Sequence, residues 1–160
     1  MADPTLLICV GATKAGTSWM YRYLHDHAAC HVRSIKEYHY FSTFNPKKLM
    51  RQLKVLDRLV VQYEARLIEA EAADDIIRIL SLSRRIDDTK ALIMALSAER
   101  SDDSAYLEYL QAGRMDETVL LDVTPAYALL EPVEIARISA LPIRVKLQYL
   151  MRDPLERLWS

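Results

Sequence analysis

The sequence predicts an α/β fold in which a parallel sheet is flanked by helices and interrupted by a long helical insertion. Residues 5–10 form a continuous apolar run, which is typical of a strand buried on both faces of a parallel sheet. A loop of small residues around one lysine, 11–17, separates that run from a helical pattern. Residues 46–113 carry a long helical stripe, so a helical insertion is expected between strands of one domain spanning 1–160.

The N-terminal elements are predicted in the order strand, loop, helix and short strand. After the first strand, residues 18–27 indicate a helix because large apolar side chains recur at helical spacing, at Trp19, Met20, Tyr23 and Leu24. Residues 31–34 could form a second, short strand. A strand, a glycine loop and a helix in this order open a phosphate-binding α/β unit.

The insertion of residues 46–113 is predicted to contain an antiparallel helical pair over 47–100. Its apolar stripe alternates spacings of four and three, at Leu49, Leu53, Leu56, Val60, Tyr63 and Leu67. The two helices are expected to break near 72–75 or near 81–83. The stripe favours packing within the domain. A partner-binding coiled coil, or self-association of the chain through this insertion, is the alternative.

Strand and helix signals alternate in the C-terminal third of the chain. The predicted elements are a short helix at 104–111, a strand at 118–122, a helix at 131–140 and a strand at 144–151. Gly113 is expected to stop the first of these helices. A final helix is predicted to begin at Pro154, with Asp153 as its cap.

Composition and charge restrict the classes of function. Of 160 residues, 51% are apolar, which excludes a disordered chain. The 21 basic and 22 acidic side chains give a net charge of −1, so nucleic acid is not expected as a partner and any anion site must be local. Cys9 and Cys30 are too few for a disulfide framework and are expected as reduced thiols. The apolar run ending at Val10 is too short for a signal peptide or a membrane span, so a cytoplasmic protein is the default expectation.

The anion loop, defined as residues 11–18, has the composition of a phosphate-binding loop, Gly-Ala-Thr-Lys-Ala-Gly-Thr-Ser. It is not a Walker A loop, because there the lysine follows the last glycine directly, whereas Lys14 precedes Gly16. Small residues let backbone N–H groups approach an anion at the N-terminus of the following helix. Two hydroxyl groups add donors, and Lys14 adds a full charge. An ordinary strand-to-helix turn with a surface lysine is the alternative.

Followed by tryptophan, the loop reads K-x-G-T-S-W over 14–19 and resembles the 5'-phosphosulfate loop of sulfotransferases that use 3'-phosphoadenosine 5'-phosphosulfate (PAPS). Three further segments resemble that family in the same order. Residues 34–41 (SIKEYHYF) resemble a KE-x-H-(F/Y)-F segment of carbohydrate-type and bacterial members, and 122–127 (DVTPAY) their (K/A)-(T/S)-P-x-Y segment. Residues 150–160 (LMRDPLERLWS) resemble the 3'-phosphate motif RDP-x-x-R-x-x-S. The resemblance implies a P-loop-like sheet and sulfuryl transfer from PAPS.

For the anion loop, the resemblance implies contact with the 5'-phosphosulfate of the donor. Lys14 is expected to contact the 5'-phosphate and the bridging oxygen. The remaining oxygens are expected to be held by N–H groups and hydroxyls of Ala15, Gly16, Thr17 and Ser18. A lysine that only anchors the nucleotide is the alternative, in which case its removal would lower binding rather than turnover.

For the KEYHYF segment, residues 36–41, the resemblance implies the catalytic base. Glu37 is expected to take the proton of the acceptor, and His39 is the competing candidate. If the segment is extended, the side chains of Glu37 and His39 point to the same face. Lys36 is then expected on the opposite face, as a surface residue.

The resemblance also implies which residues bind the 3'-phosphate of the donor and which line the acceptor side. Arg152 and Ser160 are implied to bind the 3'-phosphate, since arginine grips an anion bidentately and a helical hydroxyl adds a donor. For Arg157, a salt bridge on the helix surface and a contact with the ligand are equal alternatives. Trp19 could stack on the adenine or pack in the core, and the core is favoured. The acceptor side is expected to be lined by Thr124, Pro125 and Tyr127.

The sequence departs from the family in two respects. Heparan-type members have a lysine directly before Thr-Pro, where this chain has Val123, so a catalytic role for that lysine is absent. Family members continue for a hundred or more residues beyond the RDP motif, whereas this sequence ends at Ser160. An incomplete domain is therefore expected, which puts the activity of the 160-residue chain in doubt.

The expected function is transfer of a sulfuryl group from PAPS, as co-substrate, to a hydroxyl or amine of a small molecule or carbohydrate. No metal is expected to take part, and no membrane span is expected. A nucleotide phosphotransferase of the P-loop type is one alternative. A non-catalytic helical interaction module, carried by residues 46–113, is another.

Overall fold

A computed structural model describes residues 3–153 and residue 155 of the chain. The described elements, in chain order, are β1 (Thr5–Gly11), α1 (Thr17–His25), β2 (Cys30–His31), α2 (Pro46–Ala72), α3 (Ile76–Ser97), α4 (Ser104–Gln111), β3 (Val119–Val123), α5 (Pro132–Ser139) and β4 (Arg144–Tyr149). The chain divides into two compact units. Among the described residues, one unit is formed by those up to 42 together with those from 110 onward, and the other by residues 43–109.

The first unit is built on a four-stranded parallel sheet with the strand order β2-β3-β1-β4. Thr5 pairs with Val119 on one side of β1 and with Arg144 on the other, and both ladders are parallel. The α/β class and the parallel pairing of the three predicted strands are thereby confirmed. β2 differs in extent, since it covers only Cys30 and His31 rather than residues 31–34.

β1 is one of the two inner strands of this sheet, and its apolar run explains why. Leu6, Ile8 and Cys9 are fully buried, as expected for a strand covered on both faces. Cys9 belongs to a core cluster in which α1 contributes Met20 and β3 contributes Leu121. The buried Cys9 and partly buried Cys30 are free thiols, as predicted.

β4 is an edge strand, and it is more exposed than the other long strands. Leu147 and Tyr149 are about half exposed. Gly11 permits the close approach of β4 to the end of β1, because a Cβ atom at Gly11 would lie 2.6 Å from a ring carbon of Tyr149. The strand ends at residue 149, two residues before the predicted end.

The second unit contains the helical pair α2 and α3, which the sequence predicted. The helices break at Ala73–Asp75, the first of the two expected positions, and 81–83 lies inside α3. Asn45 caps α2 and Asp75 caps α3, each through its side-chain oxygen. Eight apolar residues of the two helices are buried: Leu56, Val60, Ala70, Leu82, Ile86, Leu92, Ala95 and Leu96.

Ion pairs across the helical pair show that α2 and α3 are antiparallel. Glu64 contacts Lys90 at 2.9 Å, and Glu69, further along α2, contacts Arg78, which lies earlier on α3. Positions that advance along α2 therefore meet positions that retreat along α3. None of the described helices is long and apolar enough to cross a membrane.

The remaining helices agree with the sequence to within a residue or two. α4 has the predicted bounds, and Gly113 follows it with φ 80°, the left-handed conformation of a helix stop. Two short 3₁₀ helices, Phe41–Thr43 and Pro125–Leu129, were not predicted. The predicted helix from Pro154 onward lies outside the described residues, apart from residue 155.

Candidate functional site

The C-terminal ends of β1, β3 and β4 meet at one edge of the sheet. The backbone N–H of Thr124, just after β3, donates to the carbonyl of Cys9 at 3.1 Å. Beyond β4, the N–H of Leu150 donates to Gly11 at 2.7 Å, and the N–H of Ala12 donates back to Leu150 at 2.9 Å. The segments that follow these three strands are therefore tied together, and ligands of open parallel sheets bind at such an edge.

The anion loop lies at this edge and leads directly into α1. Lys14 and Gly16 both have left-handed backbone conformations, with φ 65° and 94°. A Cβ atom at Gly16 would meet nothing within 4 Å, so the space beside Gly16 is open. α1 begins at Thr17 without a side-chain cap, which leaves the N–H groups of its first turn available to an anion.

The donors of the loop differ from the expectation at one residue. The N–H of Ala15 donates to the carbonyl of Ala12 at 3.2 Å, inside the loop. This hydrogen bond forms because Lys14 turns the chain back on itself in its left-handed conformation. The available backbone donors are therefore those from Gly16 to Ser18, rather than those from Ala15 to Ser18.

Lys36 contacts the hydroxyls of the loop, and the prediction that it is a surface residue on the opposite face is wrong. Its Nζ atom lies 3.0 Å from Ser18 Oγ and 3.3 Å from Thr17 Oγ1. The same ammonium lies 3.5 Å from Glu37 Oε1. The Lys36 side chain is only 21% exposed, so the charge is partly withdrawn from solvent.

Glu37 lies between the Lys36 ammonium and the His39 imidazole. Its Oε2 atom is 3.7 Å from His39 Nε2, and its Oε1 atom faces Lys36. The His39 imidazole, and to a smaller extent the Lys36 ammonium, hold the pKa of the Glu37 carboxyl below its usual value, although partial burial of the carboxyl acts in the opposite direction. Glu37 is therefore ionised at neutral pH, as a base must be before it accepts a proton.

The backbone of this region is not extended, which corrects the premise for pairing Glu37 with His39. Both residues have positive φ, 65° and 57°. Their side chains nevertheless meet, because the chain turns at each of them rather than alternating as in a strand. Left-handed non-glycine residues are costly and cluster at functional sites, where the surrounding structure holds them.

Buried aromatic residues hold the KEYHYF segment in this conformation. Tyr38, Tyr40 and Phe41 are buried, and the Tyr38 hydroxyl donates to the carbonyl of Leu121 at 3.2 Å. The N–H of Glu37 donates to the carbonyl of Val123 at 3.1 Å. These anchors attach the segment to the end of β3.

A buried carboxylate, Asp122, organises the end of β3. Thr124 Oγ1 donates to one of its oxygens at 2.6 Å, and the Tyr127 hydroxyl donates to the other at 3.1 Å. The Tyr127 oxygen also accepts from the N–H of Phe41 at 3.4 Å. Burial, together with the charge of Asp122, raises the pKa of Tyr127 well above its usual value. Tyr127 therefore stays a neutral donor.

This network corrects the expectation that Thr124, Pro125 and Tyr127 line the acceptor side. All three are buried, with Thr124 and Tyr127 held by Asp122. In this structure the three residues belong to the buried core that supports the KEYHYF segment.

Trp19 is exposed, so the favoured prediction that it packs in the core is wrong. Its side chain is 71% exposed, and its ring stacks on that of Tyr23 at a centroid distance of 5.5 Å. The reason lies in the helical face: Thr17 and Met20 turn inward from α1, which leaves the positions of Trp19 and Tyr23 outside.

Arg152 follows β4 at the same edge as the anion loop and is exposed. Asp153 Oδ1 accepts from the N–H of residue 155 at 2.8 Å, a contact of the capping type that the sequence predicted for it. Ser160 and Arg157, the other candidates for the 3'-phosphate region, lie outside the described residues.

Sequence reasoning missed two charged residues of this site, Lys36 and Asp122. The contacts of Lys36 depend on a turn that no local pattern indicates. Asp122 did carry a signal, because it is an acidic residue in an apolar run, followed by hydroxyl side chains two and five positions later. Buried carboxylates need such donors.

Within residues 3–153 and 155, no group of three or more His, Cys, Asp or Glu side chains is arranged to hold a metal ion. A shallow cavity of about 530 Å³ lies on α2, lined by Pro46, Lys47, Met50, Arg51 and Lys54, and contains none of the predicted site residues. Comparison of the chain with protein-family models, with curated proteins and with solved structures finds no match.

Proposed function

We propose that this protein is a sulfotransferase whose donor is PAPS. The observation that carries the proposal is the meeting of three segments at one sheet edge. They are the anion loop after β1, the KEYHYF segment beside the end of β3, and Arg152 after β4. Each of the three carries a sequence motif of this family, although the motifs are far apart along the chain.

The anion loop binds the 5'-phosphosulfate. The open space beside Gly16 and the uncapped first turn of α1 fit an anionic group there. The exposed Lys14 reaches the oxygen that joins phosphorus to sulfur. Its charge stabilises the negative charge that builds on this oxygen as the bond to sulfur breaks.

Arg152 binds the 3'-phosphate of the same nucleotide. β1 and β4 are adjacent and parallel, so the residues that follow them lie at neighbouring positions of one edge. This neighbourhood suits a single nucleotide that carries phosphates on two of its ribose carbons. Ser160 is the second proposed donor to the 3'-phosphate.

Glu37 is the proposed base. The acceptor oxygen or nitrogen forms a bond to sulfur while the bond from sulfur to the 5'-phosphate oxygen breaks. Adenosine 3',5'-bisphosphate leaves with the electron pair, and the acceptor proton passes to Glu37. His39 orients the carboxylate from 3.7 Å, and its Nδ1 is within 3.2 Å of Ser42 Oγ.

The acceptor class in this proposal is a hydroxyl or amine of a small molecule or carbohydrate, and the proposed compartment is the cytoplasm. A P-loop-like arrangement of the sheet belongs to the same proposal. A phosphotransferase would use a carboxylate beside the loop for Mg²⁺. Asp122 is the acidic residue at the end of β3, but it is fully buried and accepts from two hydroxyls. This weighs against the alternative.

Thermal denaturation with nucleotides tests the proposal. Adenosine 3',5'-bisphosphate at a hundred times its dissociation constant should stabilise the protein by about 2.7 kcal/mol, a shift of roughly 5–10 °C. ATP with Mg²⁺ should give a much smaller shift. Stabilisation by ATP with Mg²⁺ alone would support a phosphotransferase instead. Stabilisation by neither nucleotide would support an interaction module formed by the helical unit.

A further inference from the structure

The Lys36 ammonium has a complete set of acceptors. An ammonium group carries three N–H donors and no acceptor. Three oxygens lie within 3.5 Å of Nζ, namely Ser18 Oγ, Thr17 Oγ1 and Glu37 Oε1. The ammonium thus connects the first turn of α1 to the side chain of the neighbouring carboxylate.

The direction of these hydrogen bonds determines where the loop hydroxyls point. Since an ammonium can only donate, the oxygens of Thr17 and Ser18 accept from it. Each hydroxyl proton is then directed away from Lys36. An anion bound at the N-terminus of α1 lies beside these same two residues.

The burial and surroundings of the Lys36 ammonium agree with a role in orienting the loop hydroxyls. The Lys36 side chain is only 21% exposed. Burial raises the pKa of the Cys9 thiol near the end of β1, and the hydrogen bond to Gly11 and the Lys36 ammonium oppose that shift. The backbone beside Lys36 is fixed by the hydrogen bond from the Glu37 N–H to Val123.

We propose that Lys36 is a positioning residue that turns the Thr17 and Ser18 hydroxyls toward a bound anion and holds the Glu37 carboxylate beside them. In the context of the proposed sulfotransferase, on which this assignment of the anion rests, Lys36 links the donor pocket to the base. Its charge acts on the phosphosulfate through the hydroxyls that it orients, whereas Lys14 acts from the loop itself.

The alternative is an ordinary, partly exposed ion pair with Glu37, which would contribute little. The two explanations differ in the behaviour of Ser18. A positioning lysine must act partly through that hydroxyl, so the effects of removing Lys36 and Ser18 should not add. An ion pair with Glu37 would leave the effect of Ser18 unchanged.

The experiment is a double-mutant cycle with Lys36→Met and Ser18→Ala, and calorimetric titration as the measurement. The probes are adenosine 3',5'-bisphosphate and inorganic phosphate. Lys36→Met should weaken binding roughly tenfold, the scale of a charge-assisted contact. In the Ser18→Ala background the same change should have an effect several-fold smaller. Lys48→Met, an exposed lysine of α2, is the matched control and should bind like the wild type.

A second readout needs no nucleotide. The carboxyl carbon of Glu37, followed by nuclear magnetic resonance as a function of pH, should titrate at a higher pH in Lys36→Met than in the wild type. Lys48→Met should leave that titration unchanged. Because Glu37 is measured in the folded protein, a variant that failed to fold would be recognised in the same spectra.

The outcomes separate this inference from the proposed function. Suppose that the wild type binds the bisphosphate. If Lys36→Met then binds it equally well, or if the fold-changes in affinity caused by Lys36→Met and Ser18→Ala simply multiply in the double variant, the role of Lys36 is refuted and the function stands. If the wild type binds phosphate but not the bisphosphate, the function fails, and the phosphate cycle still decides the role of Lys36. Binding of neither probe refutes both.

Discussion

The sheet edge and the helical pair use charged residues in different ways. In the helical pair, Glu64 with Lys90 and Glu69 with Arg78 are ion pairs of largely exposed side chains. At the sheet edge, Asp122 is fully buried and Lys36 is partly buried. Solvent screens the first kind of pair, whereas the second kind is held in a medium of lower polarity.

The two regions also differ in where their non-glycine residues adopt left-handed backbone conformations. In the helical unit, the positive φ angles of non-glycine residues fall at Asp74, in the turn between helices, and at Asp103, just before α4. At the sheet edge they fall at Lys14, Glu37 and His39, all of which are candidate site residues. Charges that are partly buried on a strained backbone indicate a site, while exposed charges on regular helices indicate a solvated surface.

The largest expected effect on stability comes from Asp122. Asp122→Ala removes two hydrogen bonds to a charged group and leaves the hydroxyls of Thr124 and Tyr127 without that acceptor. The free energy of unfolding should fall by about 3–5 kcal/mol, as measured by urea denaturation. Thr124→Val removes one of the two donors at nearly constant volume, and should cost about 1–3 kcal/mol. Equal costs for both variants would contradict the network.

The largest expected effect on turnover comes from Glu37. In an active form of the protein, Glu37→Gln keeps the shape of the side chain and removes the base. Turnover should fall on the order of a hundredfold or more, while the affinity for the bisphosphate should barely change. His39→Ala is the comparison variant. If it abolishes turnover while Glu37→Gln remains active, His39 is the base.

The pH dependence of turnover sharpens the same assignment. The pKa of Glu37 is lowered in the folded protein, so the carboxylate persists at neutral pH and accepts a proton only as the pH falls below the ordinary glutamate range. Turnover in the wild type should therefore stay level down to about pH 5. An acid limb between about pH 6 and 7 would indicate a histidine base instead.

The smallest expected effect belongs to the helical pair. Lys90→Met removes the cation of a 2.9 Å ion pair with Glu64 whose partners are about half exposed. Stability should change by less than about 1 kcal/mol, and the dissociation constant of the bisphosphate should not change. A loss of nucleotide binding in this variant would show that the exposed charges of the helical pair also contribute to the site, contrary to the comparison above.

Much of the fold could be predicted because it depends on local patterns. The apolar run of β1 and the stripe of α2 are each encoded in consecutive residues, and both elements form where the sequence indicated. The break between α2 and α3 was predicted only as one of two positions. Asp75, which caps α3, is the residue that decides between them.

The candidate site could be predicted less completely from the sequence, because it depends on contacts between distant segments. Motifs identified the residues of the anion loop, the Glu37 and His39 pair, and Arg152, but not the contacts that Lys36 and Asp122 make. Lys36 reaches Ser18 only because the chain turns at Glu37, and a left-handed glutamate is not suggested by any propensity. Trp19 was assigned to the wrong face because a short amphipathic helix does not reveal which of its sides meets the sheet.

In the proposed function, the anion loop and Arg152 bind two phosphates of one nucleotide. The direct test compares adenosine 3',5'-bisphosphate with adenosine 5'-monophosphate, by titration of the wild type, Lys14→Met and Arg152→Met. The wild type should prefer the bisphosphate on the order of tenfold or more. Arg152→Met should lose that preference and keep its affinity for the monophosphate, whereas Lys14→Met should weaken both. If Arg152→Met keeps the full preference for the bisphosphate, the two segments do not share a nucleotide and the proposed function is contradicted.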